Sequence, residues 1–422
     1  PSQQPPAGGA WAVPSIRVRL HEFAGGTSLV VTTPVHATLR MRDAEGHLVE
    51  ASLPAGAVLR ASSAGRGAAA HITLDQGSRS IRELCIVRNG VETAPAEPSQ
   101  LLQVARPADG KGTPVRGELT LRVTMGGHLE PILELPFEHY VAGAILSEMP
   151  ASFGLPALQA QAVAIRTFSA YQVLTNRARG ESQRPYDVQS SVADLHYGGV
   201  PYERPIGWQA ATTTRGLVLT YRGNLFPTYF HSTSGGTTIS SAFYFKTFSD
   251  FPPLAGGVVS DSSGSPLHRW TRTMRWADVR TTLERDGVQG LGTRLERVQR
   301  LFAPAEHGGP RAAPAADVVE PGWRPHSVAF TTERGTVRVE APRLRASLGS
   351  GREGLPSTAF AVSLRRGEQT LVFEGAGFGH GVGMCQYGAA ALGAAGRGYA
   401  DILQHYYPGS SLVTMPTDGP AN

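Results

Sequence analysis

PFEHYVAGAILSEMP (residues 136–150) and PALQAQAVAIRTFSAYQVL (156–174) stand close together, each with apolar residues at helical spacing. The first predicts a helix over about 136–149. The second predicts a helix over about 156–174, with Pro156 in the first turn, where a missing N–H costs nothing. Outward from this pair the pattern changes to short alternating runs. Gly117–Thr124 and His128–Leu135 read as a hairpin about Gly126-Gly127. Further strands are expected at Leu217–Tyr221, Thr228–Ser232, Ser327–Thr332, Val337–Glu340 and Phe360–Leu364, with a helix at Ala277–Glu284 and a helical tail at Gln386–Tyr406. The fold class expected is therefore α+β, β-rich with short antiparallel strands, a central helical pair and a C-terminal helical tail.

Residues 1–14 read as a flexible tail. Residues 15–106 read as an N-terminal β module, with Pro107–Thr113 (PADGKGT) as linker. A domain over 114–412 follows, with a linker-like insertion at about 303–325, and 413–422 form a second tail. No repeat of solenoid length is present.

Of the 422 residues, 41% are hydrophobic and 17% charged, with 50 Gly and 31 Pro, which favours turns and strands over a helical bundle. The net charge of +5 is carried almost wholly by Arg, since Lys111 and Lys246 are the only lysines. A mildly basic surface suits an anionic wall polymer, a nucleic acid or a membrane surface, but no block of like charges marks a dedicated patch, and no nucleic-acid partner is expected. No apolar run reaches about 18 residues, so the chain as given is expected to have no membrane span. The opening PSQQPP reads as a stub left by a removed signal or as a trimmed end. Cys85 and Cys385 are too few for a disulfide framework, and their spacing leaves pairing open.

Within the first helix, Phe137, Val141, Ala144, Ile145 and Glu148 fall on one stripe. A carboxylate on an apolar face in the last helical turn is penalised when ionised, by desolvation and by the negative helix end. Such a group stays protonated near neutral pH and can give its proton to a leaving oxygen. The alternative is that the helix stops early and Glu148 points into water. A second candidate is GAGFGHGVGM (375–384), with Gly at alternate positions. If extended, it places Phe378, His380 and Val382 on one face and bare backbone on the other, open to a sugar or another chain, or it is a packing strand. A third is YFHSTSGG (229–236), where His231, Ser232, Ser234 and Gly235 offer hydroxyls and a tight turn to a polyol. Neighbours on a strand point to opposite faces, which argues against a Ser–His nucleophile there. Arg166 either holds an acid such as Glu148 or pairs at the surface. Cys385 beside His380 is a nucleophile or a small packing residue. His231, His380 and His405 could gather zinc in a hydrolase, although no HExxH or CxxC spacing supports it.

Taken in order, several blocks resemble one family, the SpoIID/LytB domain. They are EHYVAG (138–143), LSEMP (146–150), ALQAQAVAIRT (157–167), YDV (186–188), YFHSTSGG (229–236), GLPSTAF (354–360), GFGHGVGM (377–384), QYGA (386–389) and HYYPG (405–409). The resemblance spans roughly residues 115–412. It implies an extracytoplasmic protein acting on peptidoglycan glycan strands, as a lytic transglycosylase that leaves 1,6-anhydro-muramic ends. The Glu148 position inherits the catalytic role. Arg166, His231, Ser232, Ser234, Gly235, His380 and Gln386 are expected to contact substrate. No cofactor is implied.

The alternative within the family is a non-catalytic, glycan-binding enhancer of an N-acetylmuramoyl-L-alanine amidase, which makes a cell-wall amidase a possible partner. Departures stand beside the matches. Relatives can carry Cys and His around a zinc near the Tyr-Asp loop, but YDVQSSVADLHY (186–197) has His196 and no Cys, so no metal is expected. Cys385 stands where Ser is expected, a near-isosteric change. The Arg-rich, Lys-poor composition suggests a high-GC genome, so a sporulation role need not transfer.

Overall fold

The structure, a computed structural model, describes residues 12–43, 45–75, 77–89, 97–178, 184–191, 195–246, 251–301 and 324–415. The chain forms two compact units. One comprises Gln3–Pro227 with Leu412–Asn422, and the other Thr228–Ser411.

The first unit is built on a 12-stranded, mostly antiparallel sheet. Its N-terminal strand Ser15–Arg19 pairs antiparallel with Leu129–Pro136 and parallel with Val188–Gln189. Alternation explains the pairing: Ile16, Val18, Leu133 and Leu135 turn inward and are buried, while Arg17, Arg19 and Glu134 between them turn out. The strands of 15–106 thus share one sheet with the hairpin that precedes the helical pair. Pro107–Thr113 connects strands Leu102–Ala105 and Thr113–Val115, which pair with each other.

Helix α1 (Phe137–Glu148) starts directly where strand Leu129–Pro136 ends, and α2 (Leu155–Ala178) runs past the expected end at Leu174. With α3 (Pro205–Thr213) they pack against one another. Helix α1 is buried on nearly all sides from Phe137 to Ile145, so the single apolar stripe expected of it is too narrow a description. Residues expected in the terminal tail form part of strand Ser411–Thr414, which joins Leu217–Tyr221 and Asn224–Leu225 in a three-stranded sheet.

The second unit holds two three-stranded antiparallel sheets, one of Trp270–Arg275, Thr370–Gly375 and Phe360–Arg365, the other of Leu295–Leu301, Ser327–Thr332 and Gly335–Glu340. Helices α4 (Ser241–Phe245), α5 (Trp276–Arg285) and α6 (Ala341–Leu348) belong to this unit. Trp276, Leu283, Phe330, Leu344, Phe360 and Phe373 make its apolar core. The expected helical tail is two helices, α7 (Gln386–Ala394) and α8 (Tyr399–Tyr406). The break falls at Gly396, whose φ of 84° takes the chain out of the right-handed helix. Of the expected insertion at 303–325, all but Arg324 and Pro325 lies outside the described residues.

Candidate functional site

Glu148 is the last residue of α1, and the turns before it supply a clamp for a loop 50 residues on. The backbone N–H of His196 donates to Glu148 Oε1 at 2.7 Å. Ser147 Oγ donates to the His196 carbonyl at 2.6 Å and accepts from Gly198 N–H at 3.2 Å. Gly199 N–H donates to the Gly143 carbonyl at 3.1 Å. The loop can come this close because Gly143 has no side chain: a Cβ there would lie 2.8 Å from Tyr197 Cε2. Tyr197 in turn stacks on Tyr140 of α1, ring centroids 5.1 Å apart.

Burial pushes the Glu148 carboxyl above its ordinary range, and the His196 N–H and the nearby His196 ring pull it part of the way back. Oε1 is engaged as an acceptor, so a proton on this carboxyl resides on Oε2, the oxygen with no hydrogen bond among the described residues. Among the described residues no second carboxylate contributes to the electrostatics of Glu148. The helix therefore does not stop early, and the glutamate is anchored and partly buried.

Arg166 holds an acid, as one expectation had it, but the acid is Glu138 rather than Glu148, and the pair is not at the surface. It is fully buried and grips Glu138 through Nε–Oε1 at 2.9 Å and Nη2–Oε2 at 2.7 Å, and it donates further to the carbonyls of Leu217 and Ala211. It ties α1 to α2, the end of α3 and the following strand. Its donors are engaged in the interior.

The other candidates lie in the second unit. His231 is 4% exposed and donates from Nδ1 to the Val382 carbonyl at 3.1 Å, which leaves Nε2 buried without a partner. His380 is partly exposed and accepts from Val382 N–H at Nδ1, with the two imidazole centroids 5.5 Å apart. Burial and neighbouring guanidiniums hold both rings neutral: His231 falls well below its ordinary value, and His380 drops to about 3.

The glycine segment is not the extended strand expected. Gly377, Gly379, Gly381 and Gly383 all have positive φ, and the chain winds against YFHSTSGG. At Gly383 a Cβ would lie 1.9 Å from the Tyr229 carbonyl oxygen, so only glycine fits. Ser234 is 1% exposed and caps its own turn, accepting from Gly236 N–H, while Gly235 (φ 75°) is pressed against Ala376. Both are interior turn residues. Gln386, at 6% exposure, is also interior, whereas Ser232 is partly exposed.

Cys385 is buried and caps α7, its Sγ accepting from Gly388 N–H and Ser234 N–H, which is the work a Ser could do there. Both cysteines are free. Among the described residues the only three potential ligands whose atoms lie within 4.8 Å are Asp43, Glu45 and His47. Among the described residues His231, His380 and His405 do not gather, and His196 has no companion ligands.

Sequence reasoning missed Gly143, Ser147 and His196 as parts of the Glu148 site. A lone glycine inside a strongly apolar helix was the available signal, since it points to close backbone approach. It also missed Arg324 and Arg345, which sit beside the two histidines.

The model of the stage II sporulation protein (SpoIID) family matches residues 125–221, which include α1, α2, α3 and the His196 loop. Stage II sporulation protein D of Bacillus subtilis (strain 168) is 30% identical over 293 residues, 67% of this chain and 76% of that protein. The protein of the same name from Bacillus amyloliquefaciens is 31% identical over 288 residues, 66% of this chain and 74% of that one. The amidase enhancer of B. subtilis is 27% identical over 305 residues, which are 64% of this chain but only 40% of the enhancer. With its mixed α+β fold and this extent of likeness, the chain belongs to the stage II sporulation protein D family.

Proposed function

We propose that the chain acts on the glycan strands of peptidoglycan as a lytic transglycosylase, with Glu148 as its single acid and base. The observation that carries this reading is the Glu148 carboxyl itself: anchored through Oε1 by the His196 N–H, raised in pKa by burial and, among the described residues, without a second carboxylate acting on it. Glycosidases that use water need two carboxyl groups. Internal attack needs one. Oε2–H gives its proton to the oxygen that links C1 of N-acetylmuramic acid to N-acetylglucosamine, and the C1–O bond breaks with loss of the alcohol. The resulting carboxylate takes the proton of the muramic C6 hydroxyl, whose oxygen bonds to C1. A 1,6-anhydro ring forms and Glu148 is protonated again, so no water is consumed.

The test is incubation of the purified protein with glycan strands stripped of peptide, followed by mass spectrometry for anhydro-muramic ends. An extracytoplasmic location follows from this substrate. Among the described residues no helix is long and apolar enough to cross a membrane.

The likeness to an amidase enhancer favours a second reading, in which the chain binds glycan and stimulates an N-acetylmuramoyl-L-alanine amidase without cutting. Bound strands with no anhydro ends, together with faster amidase turnover, would select it.

A further inference from the structure

We propose that the second unit carries a carboxylate site, built on Arg324 beside His231, that takes the lactyl group of a muramic acid residue. This rests on the glycan reading of the protein. Among the described residues four arginines are nearly or fully buried: Arg116, Arg166, Arg324 and Arg345. Arg116 and Arg166 each meet a glutamate through two nitrogens, Glu203 and Glu138. Arg324 and Arg345 meet none among the described residues. Arg324, 7% exposed, donates to Thr358 Oγ1 and the Ser234 carbonyl, and its Nε is buried with no partner. Arg345, 8% exposed, donates to the carbonyls of Leu355, Pro356 and Ser350 and to the Tyr244 hydroxyl.

Two guanidiniums close enough to repel each other, with no carboxylate of the described residues between them, are costly to bury. Burial first, and the Arg345 charge second, pull Arg324 down to about 10. The neighbouring histidines add no negative charge. An incoming carboxylate removes this imbalance, and guanidinium geometry suits it.

The surroundings fit a sugar acid. Gly381 presents bare backbone to the guanidinium, since a Cβ there would lie 2.5 Å from Nη2. The unpartnered Nε2 of His231 is an acceptor for a hydroxyl. Phe245, 37% exposed, stacks on Tyr229 with centroids 4.4 Å apart, and both rings lie beside His380, an apolar platform for the face of a pyranose. A lactyl group is anionic only when no peptide is attached, because the peptide bond turns it into a neutral amide. The site would therefore read the absence of peptide.

The test titrates the full chain with N-acetylmuramic acid and, separately, with its lactyl methylamide. The acid is expected to bind at least tenfold tighter, and Arg324→Gln to reduce it to the level of the amide. Equal binding of the two by the wild type overturns the site, whether or not the variant folds. Cutting of strands is a separate readout: its loss with the acid preference intact would sink the Glu148 chemistry and leave this site standing.

Discussion

The His196 backbone N–H and the Ser147 side chain act on Glu148 as one device: the first holds Oε1 at 2.7 Å, and the second pins the loop that carries it, donating to the His196 carbonyl at 2.6 Å. Ser147→Ala removes the pin and leaves the carboxyl in place. It is expected to cost about 1 kcal/mol of stability and on the order of tenfold to a hundredfold in kcat, with KM little changed. The N–H pulls the Glu148 pKa down, so loosening it should move the basic limb of the rate profile to higher pH. A uniform loss of activity at every pH would mean that Ser147 is only structural.

Gly143→Ala offers a second route to the same loop. The added methyl meets Tyr197 and Gly199 at 2.8 and 3.1 Å. Alanine is the better helix former by about 1 kcal/mol, so a melting temperature close to wild type is expected alongside a marked loss of activity. Full activity in this variant would show that the loop position does not matter.

Arg166 is expected to matter for stability. Arg166→Met leaves the partly exposed Glu138 with only the Gly216 N–H among the described residues and should cost about 3 kcal/mol, read as a shift of the urea midpoint. The double variant with Glu138→Gln should recover much of it. If the single variant is as stable as wild type, the pair does not hold the helices together.

The histidines of the second unit predict acid lability. His380 has its folded pKa lowered from 6.5 to about 3, so its contribution to stability is complete above 6.5 and is lost as pH falls toward 3. Over that window the unfolded chain takes a proton the folded one refuses, at most about 1.4 kcal/mol per pH unit. Urea midpoints at pH 7.5, 5.5 and 4.5 should fall for the wild type and fall less for His380→Gln. Parallel curves would contradict the neutral assignment.

Much of this was legible in the residues. The period of 136–174 and the proline at 156 located the two helices, because propensity and packing agree there. The placement of Glu148 at a helix end also followed from the spacing. What the pattern could not carry was long-range. Arg166 sits on an apolar helix face, but only the fold brings it to Glu138 rather than to Glu148 or the surface. The alternating glycines suggest a strand by period, yet they serve backbone conformations with positive φ that a chain without coordinates does not reveal. The N–H of His196 reaches Glu148 across 48 positions, and no local rule links them. Ser234 and Gly235 look like ligands for a polyol in the sequence, and the fold uses them to build a turn.

The most direct measurement is the yield of 1,6-anhydro-muramic ends from peptide-free glycan strands, compared between the wild type and Glu148→Gln. The glutamine keeps the shape and an acceptor for His196 but cannot cycle a proton. One carboxyl doing both proton transfers predicts anhydro ends from the wild type and a fall of at least a hundredfold in the variant, with binding of strands retained. Undiminished cutting by Glu148→Gln would contradict it.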